Sequence, residues 1–279
     1  MGELCQIVSG SWTELRASPP QLYYFQHFQN VFHPAHYQGW GRRRRYFEGW
    51  YYKLVVPEQR LAYAIIPGIS MDAVGQQHAF VQVLDGVAAQ SSYHRFPATD
   101  FRPTRGALDL AVGPDNRFTD HSLRLRLPNL ALDAEFLQAQ RWPSRLAAPG
   151  VMGPFGYIPG MQCYHGLVSL HHGLSGSLTD ARGTYDLGTG VGYAEKDWGS
   201  SFPNAWVWAQ SNHLDSPHPS SLMVSVADIP WLGTRFTGFL ATLLWEGELH
   251  TFATWTGARQ ELSFAEGSVT VRLTDRRRR

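Results

Sequence analysis

The sequence predicts an all-β protein, large enough at 279 residues for one big β domain or two smaller ones. Short runs rich in aromatic and β-branched residues recur along its whole length. Its 27 Gly and 17 Pro are spread between those runs as turn signals, and helical periodicity is weak throughout. In order, the strand-like runs are 49–56, 61–66, 78–84, 121–127, 162–170, 205–211, 221–227, 236–245, 250–255 and 268–273. Pro67-Gly68, Asp85-Gly86, Gly113-Pro114-Asp115-Asn116 and Glu246-Gly247 are the clearest turns between them. A short helix is expected at 131–140. The segment 142–160 is dense in Pro and Gly and reads as a junction, dividing the chain into β domains at 1–148 and 149–279.

Composition narrows the function. Charged residues are 17% of the chain, below the roughly 25% of an average soluble domain, and aromatics are 13%, with ten Trp. Some of these rings fill a core, and others suit the walls of an apolar ligand cavity. A formal net charge of +1 supplies no global field for nucleic acid, so no nucleic-acid partner is expected. Two arginine runs, Arg42 to Arg45 and Arg276 to Arg279, read as solvated surface or as contacts to anionic lipid headgroups, that is, peripheral membrane contact. Cys5 and Cys163 make neither a disulfide framework nor a zinc pattern. No signal peptide opens the chain, and no apolar run reaches the ~18 residues of a membrane span, so a cytoplasmic location is expected.

Strand alternation places candidate residues together. Glu48, Trp50 and Tyr52 share one strand face. Glu195 and Asp197 share another, with Lys196 and Trp198 behind them. Trp206, Trp208, Gln210 and Asn212 form a stripe that runs from indole to amide, followed by His213. Such a stripe suits a lumen for an amphipathic molecule, or equally an indole-filled core closed by amides. Glu195 beside Lys196 also reads as an ion-paired turn, and Glu48 near Arg45 as a strand-edge salt bridge. No metal site is expected: His165 and His171 would lie about 20 Å apart along one strand, and no His-x-His or paired-Cys motif occurs. Phosphate-loop and Gly-x-Ser-x-Gly patterns are absent as well.

The blocks Arg45-Tyr46-Phe47-Glu48-Gly49-Trp50-Tyr51-Tyr52-Lys53, Tyr157 to Gly166, Gly192-Tyr193-Ala194-Glu195-Lys196-Asp197-Trp198-Gly199 and Trp206-Val207-Trp208-Ala209-Gln210-Ser211-Asn212-His213 resemble the tocopherol cyclase family. The resemblance runs from about Phe32 to the C-terminal end. It implies two lipocalin-like β-barrels, the second incomplete here because the plant proteins continue further. It also implies ring closure of a prenylated quinol to a chromanol, without redox change and without a cofactor. A more distant relation is the carotenoid hydratase group. The plant cyclases look like Asn where this chain has Asp197.

That chemistry needs an acid against an alkene, aromatic faces to stabilise the tertiary cation, and a polar group to orient the phenol. A carboxyl in an apolar lumen stays protonated near neutral pH and serves as the acid. Glu195 ranks first, Glu48 second and Asp197 third. Trp50, Tyr52, Trp198, Trp206 and Trp208 are the expected aromatic walls, with Gln210, Asn212 and His213 as orienting groups. Glu48, Glu195, Trp206 and Trp208 are expected to border one cavity. An isoprenoid or lipid carrier without catalysis, and an isoprenoid hydratase, are the alternatives.

Overall fold

Alternation of apolar and polar residues governs the first strand, and the computed structural model shows where each face goes. It describes residues 28, 30–231 and 234–275. Cys5, the N-terminal stretch and Arg276 to Arg279 lie outside the described residues. Strand β1 (Tyr46–Val56) buries every second residue: Tyr46, Glu48, Trp50, Tyr52 and Leu54 point one way, while Phe47, Gly49, Tyr51 and Lys53 point the other. The first set enters the core of a barrel. The second faces a separate layer of strands.

Strands β2 (Leu61–Met71), β3 (Gln77–Asp85) and β4 (Gln90–Pro97) follow β1 as antiparallel neighbours. Short strands β5 (Phe101–Pro103), β6 (Asp109–Val112), β7 (Asn116–Thr119) and β8 (Ser122–Leu127) lead into β9 (Leu130–Gln140). The sequence reading expected a helix at 131–140, and this is corrected. Leu130, Leu132 and Ala134 are buried while Asp133 and Glu135 are exposed. That is a period of two, which no helix accommodates.

The long β10 (Cys163–Asp180) pairs with β9, with the short β11 (Gly183–Asp186) and with β12 (Val191–Gly199), and β12 pairs with β1. The result is one twelve-stranded sheet. Its two ends, β4 and β5, are joined by the tight turn Ala98–Asp100, and Gly113 N–H reaches Asp100 O at 3.1 Å, so the barrel is nearly closed. Trp50, Tyr52, Ile65, Phe118, Leu125 and Leu132 pack its interior. Strands β10 and β12 belong to this sheet although they lie C-terminal to residue 148.

The second layer is a four-stranded antiparallel sheet of β13 (Trp206–Ser211), β14 (Ser221–Trp231), β15 (Thr234–Trp245) and β16 (Glu248–Ala253). It stays open at both edges, so the second body of strands is an incomplete barrel. A hairpin of β17 (Arg259–Ala265) and β18 (Ser268–Thr274) covers part of its far face, where Leu262, Val271 and Leu273 meet Val224 and Val226. The Pro/Gly-rich segment wedges between barrel and second sheet. Its Val151, Met152 and Phe155 pack with Leu167 and Tyr193 of the barrel and Met223 and Leu244 of the sheet. Gly153 is required there: its φ is +55°, and a Cβ would lie 2.4 Å from the Trp255 ring.

One end of the barrel is crossed by the segment 33–40, held through a buried ion pair. Glu48 Oε1 meets Lys196 Nζ at 2.5 Å, both side chains fully buried. Lys196 also donates to the carbonyls of Pro34 (2.8 Å) and His36, and its ammonium lies 4.9 and 4.5 Å from the Trp50 and Trp198 ring centroids. Glu48 accepts the Gln38 backbone N–H at 2.9 Å and the Tyr46 hydroxyl. Trp50 Nε1 donates to Ala35 O at 2.8 Å. Burial pushes the Lys196 ammonium down, to about 8, and the Glu48 carboxyl up, and the attraction between the two works against both shifts. Glu48→Gln leaves that cation without its anion. We expect a loss of about 3–5 kcal/mol in urea unfolding; a loss below ~1 kcal/mol would show that the pair does not hold this end of the barrel together.

Candidate active site

The outer face of the barrel and the inner face of the second sheet enclose a cavity of about 390 Å³, within the range of roughly 300–1,000 Å³ usual for small-molecule sites. Phe47, Ile66 and Phe80 form one wall, Ile229, Phe236 and Leu240 the other, and Met152 and Phe155 contribute from the wedged segment. Gly49 leaves the barrel wall without a side chain there. At one end Phe47 stacks on Phe202 at 4.5 Å, and Phe202 and Trp206 are about half exposed.

Into this apolar space project His165, Glu195 and Asp197. Register explains the convergence. On adjacent strands Asp197 sits opposite both His165 of β10 and Gly49 of β1, and Glu195 opposite Leu167 and Tyr51. Glu195 and Asp197 are two residues apart, so they share the cavity face. His165 Nδ1 lies 2.9 Å from Asp197 Oδ1, and its Nε2 lies 3.4 Å from Glu195 Oε2. Tyr193, on the same face of β12, donates its hydroxyl to Glu195 Oε2 at 2.5 Å.

Burial works against a charged His165, but Asp197 and then Glu195 overrule it, and its pKa stands well above the usual imidazole value. The group is therefore an imidazolium between two carboxyls. Burial and the neighbouring Glu195 raise the Tyr193 phenol, which stays a neutral donor. Burial and Asp197 raise Cys163, which also borders the cavity, so it is a thiol and not a thiolate nucleophile. The arrangement can hold and pass a proton in a largely apolar enclosure. His165, Glu195 and Asp197 also place ligand atoms within 4.8 Å of one another, spacing that could hold a cation if the imidazole were neutral.

The expected site residues separate into two groups. Glu195, Asp197, Trp206 and Trp208 border the cavity, and Trp208 meets Tyr51 edge-on at 5.3 Å. Glu48, Trp50 and Tyr52 do not: they lie inside the barrel, on the opposite face of β1, with Glu48 committed to Lys196. Trp198 stacks on Tyr164 at 5.4 Å, on that same inner side. Gln210 is not in the cavity lining; its Oε1 accepts Lys53 Nζ at 2.8 Å. Asn212 is buried just past β13, and His213 is exposed.

Sequence reasoning missed His165, Tyr193 and Tyr51. For Tyr193 the signal was available, since Tyr193, Glu195 and Asp197 alternate. His165 depends on the pairing of β10 with β12, which no local pattern encodes. His165 meets the two acids across two paired strands, so spacing along a single strand does not reveal the group.

The raised His165 value is directly measurable. Its ring protons should titrate by NMR at a pH clearly above that of a free imidazole. Asp197→Asn removes the larger raising influence, so the midpoint should fall. A midpoint at or below 6.5 in the unaltered protein would contradict the charged cluster.

Comparison with known proteins agrees with this architecture. Residues 147–263 match the family model described as tocopherol cyclase-like. A 68-residue stretch is 29% identical to the probable chloroplastic tocopherol cyclase of Oryza sativa subsp. japonica; it makes up 23% of this chain and only 14% of that protein. Among solved structures, a protein assigned as AttH from Nitrosomonas europaea superposes with a TM-score of 0.52 at 19% identity, over 81% of this chain and 76% of that one. Kievitone hydratase from Nectria haematococca gives a TM-score of 0.52 at 11% identity, over 81% and 72%. At these identities the two structures establish the all-β, lipocalin-like fold and nothing about chemistry. The stretch 147–263, which supplies His165, Tyr193, Glu195 and Asp197, is tocopherol cyclase-like in sequence.

Proposed function

We propose that the chain closes the ring of a prenylated quinol to a chromanol by proton transfer inside the cavity between barrel and second sheet. The observation that carries this reading is a His165–Glu195–Asp197 cluster, with Glu195 buried and the other two partly so, on the wall of a largely apolar cavity. The His165 imidazolium passes its proton through the adjacent Glu195 carboxylate to the alkene. The tertiary cation forms against the rings of Tyr51, Phe80 and Trp208, where cation–π attraction contributes about 2 kcal/mol or more in a dry site. The phenol oxygen then closes the ring, and its proton returns to the cluster. One proton is spent and one regained, so the reaction is an isomerisation.

Tyr193 holds Glu195 in place, and Asp197 holds His165 in its charged form. Restricting the flexible prenyl chain between Ile66, Phe80, Ile229 and Phe236 brings phenol and alkene together, which supplies the entropic part of the rate. No strong nucleophile besides the substrate phenol is needed, and the neutral Cys163 thiol does not compete for the cation.

The test is incubation of the purified protein with a prenylated benzoquinol, following chromanol by chromatography. Glu195→Gln should lower turnover by at least ~10² while substrate binding hardly changes. Asp197→Asn should be milder at neutral pH. Because the raised His165 value means that the proton is present at neutral pH and lost as pH rises through that value, Asp197→Asn should move the alkaline loss of activity to lower pH. Turnover that survives dialysis against EDTA separates proton transfer from a cation held by the same three residues. A hydrated product would make water the nucleophile, and binding without any product would leave a carrier.

A further inference from the structure

Beyond the wall formed by Met161 and Tyr164 lies a second cavity that shares both residues with the first. Its volume is about 380 Å³, and its chemistry is different. Arg42, Arg45 and Arg105 line it, and no carboxylate does among the described residues. Trp40, Tyr46 and Trp198 supply aromatic surface between them.

The arginines are positioned, not merely present. Arg105 stacks over Trp40 with its guanidinium carbon 4.0 Å from the ring centroid, which leaves the edge of the planar fork for a ligand. Arg42 lies 5.8 Å from the Tyr46 ring centroid. Arg45 occupies the left-handed region at φ +49°, a conformation unusual for a side-chain-bearing residue, and its backbone N–H is tied to Asp72 O at 2.8 Å. The adjacent Arg43 carbonyl accepts the Gln77 side chain at 2.9 Å. The loop is therefore pinned to the barrel on both sides of Arg44.

We propose that this second cavity is an anion site that takes a phosphoryl group, borne either by a lipid headgroup or by a soluble phosphate or diphosphate. Arg42, Arg45 and Arg105 line one concave space that holds no carboxylate among the described residues, and a guanidinium fork matches phosphate oxygens in bidentate fashion. The aromatic floor suits an anion carried on an apolar body. The site is independent of the acid cluster, since none of its arginines borders the first cavity.

The experiment uses the full chain and two probes. Inorganic pyrophosphate is titrated calorimetrically at low and at physiological salt. Flotation compares neutral phosphatidylcholine vesicles with vesicles also containing phosphatidylglycerol. Pyrophosphate binding that weakens about tenfold or more in Arg105→Gln and in Arg42→Gln/Arg45→Gln, and that falls with salt, supports a soluble ligand. Flotation with anionic vesicles only, lost in the same variants and without pyrophosphate binding, supports a headgroup. Arg44→Gln, which alters a neighbouring arginine outside the lining, is the control. Equal losses in Arg44→Gln would reduce the effect to a generally basic loop and overturn the site. Absence of binding to both probes, or binding unchanged when all three lining arginines are Gln, would overturn it as well. The three side chains are exposed, so urea midpoints should not move, and a moved midpoint disqualifies that variant in favour of the single Arg105→Gln.

Discussion

A single ammonium group, Lys196, sets the geometry of this molecule. A fully buried cation must be surrounded by acceptors and an anion, because its desolvation costs several kcal/mol. The chain meets that demand with Glu48 from the neighbouring strand, two carbonyls from the segment crossing the barrel end, and two indole faces. Those partners fix β1 against β12 in one register and lay residues 34–38 over the barrel. A one-residue slip would carry Lys196 to the other face and put Glu195 and Asp197 into the barrel core. The orientation of the acid cluster thus follows from where the lysine must be.

Strand β12 therefore serves opposite purposes on its two faces. Inward, its charge is cancelled and covered. Outward, its carboxyls meet His165 in a space bounded by apolar walls. The barrel interior is occupied by Trp50, Tyr52, Phe118 and a full set of aliphatic side chains. The first cavity consequently lies outside that interior, between the barrel and the four-stranded sheet. The barrel's outer surface supplies the cavity wall that faces this sheet.

Much of this was legible in local sequence. The alternation of Glu48, Trp50 and Tyr52 showed that these residues share a face, and the alternation of Glu195 with Asp197 did the same. It could not show that the two faces are on opposite sides of one sheet. That depends on β1 pairing with β12, a contact between distant parts of the chain. Glu48 and Glu195 look equivalent as acids beside aromatics; only the pairing reveals that one faces a lysine and the other a histidine. The 131–140 segment misled for a different reason. Its Leu, Ala, Glu and Gln residues favour helix intrinsically, and burial of alternate positions against the barrel overrode that preference. Of the stripe from Trp206 to Asn212, Trp206 and Trp208 border the cavity, while Gln210 meets Lys53 and is not part of the lining.

The pairing of Tyr51 with Glu195 also has a temporal meaning. During synthesis the hairpins β1 to β4 can form as soon as they emerge, since each joins neighbours in sequence. Strand β1 nevertheless waits, with one edge unpaired, until β12 has been made. Long-range strand pairing must bear its loop-closure entropy before its contacts repay it, and it is correspondingly slow. Through that interval β1 exposes an open edge flanked by Phe47, Trp50 and Tyr51, the kind of surface to which another chain readily adds. The strand that completes the acid cluster is thus also the one that covers the open edge of β1.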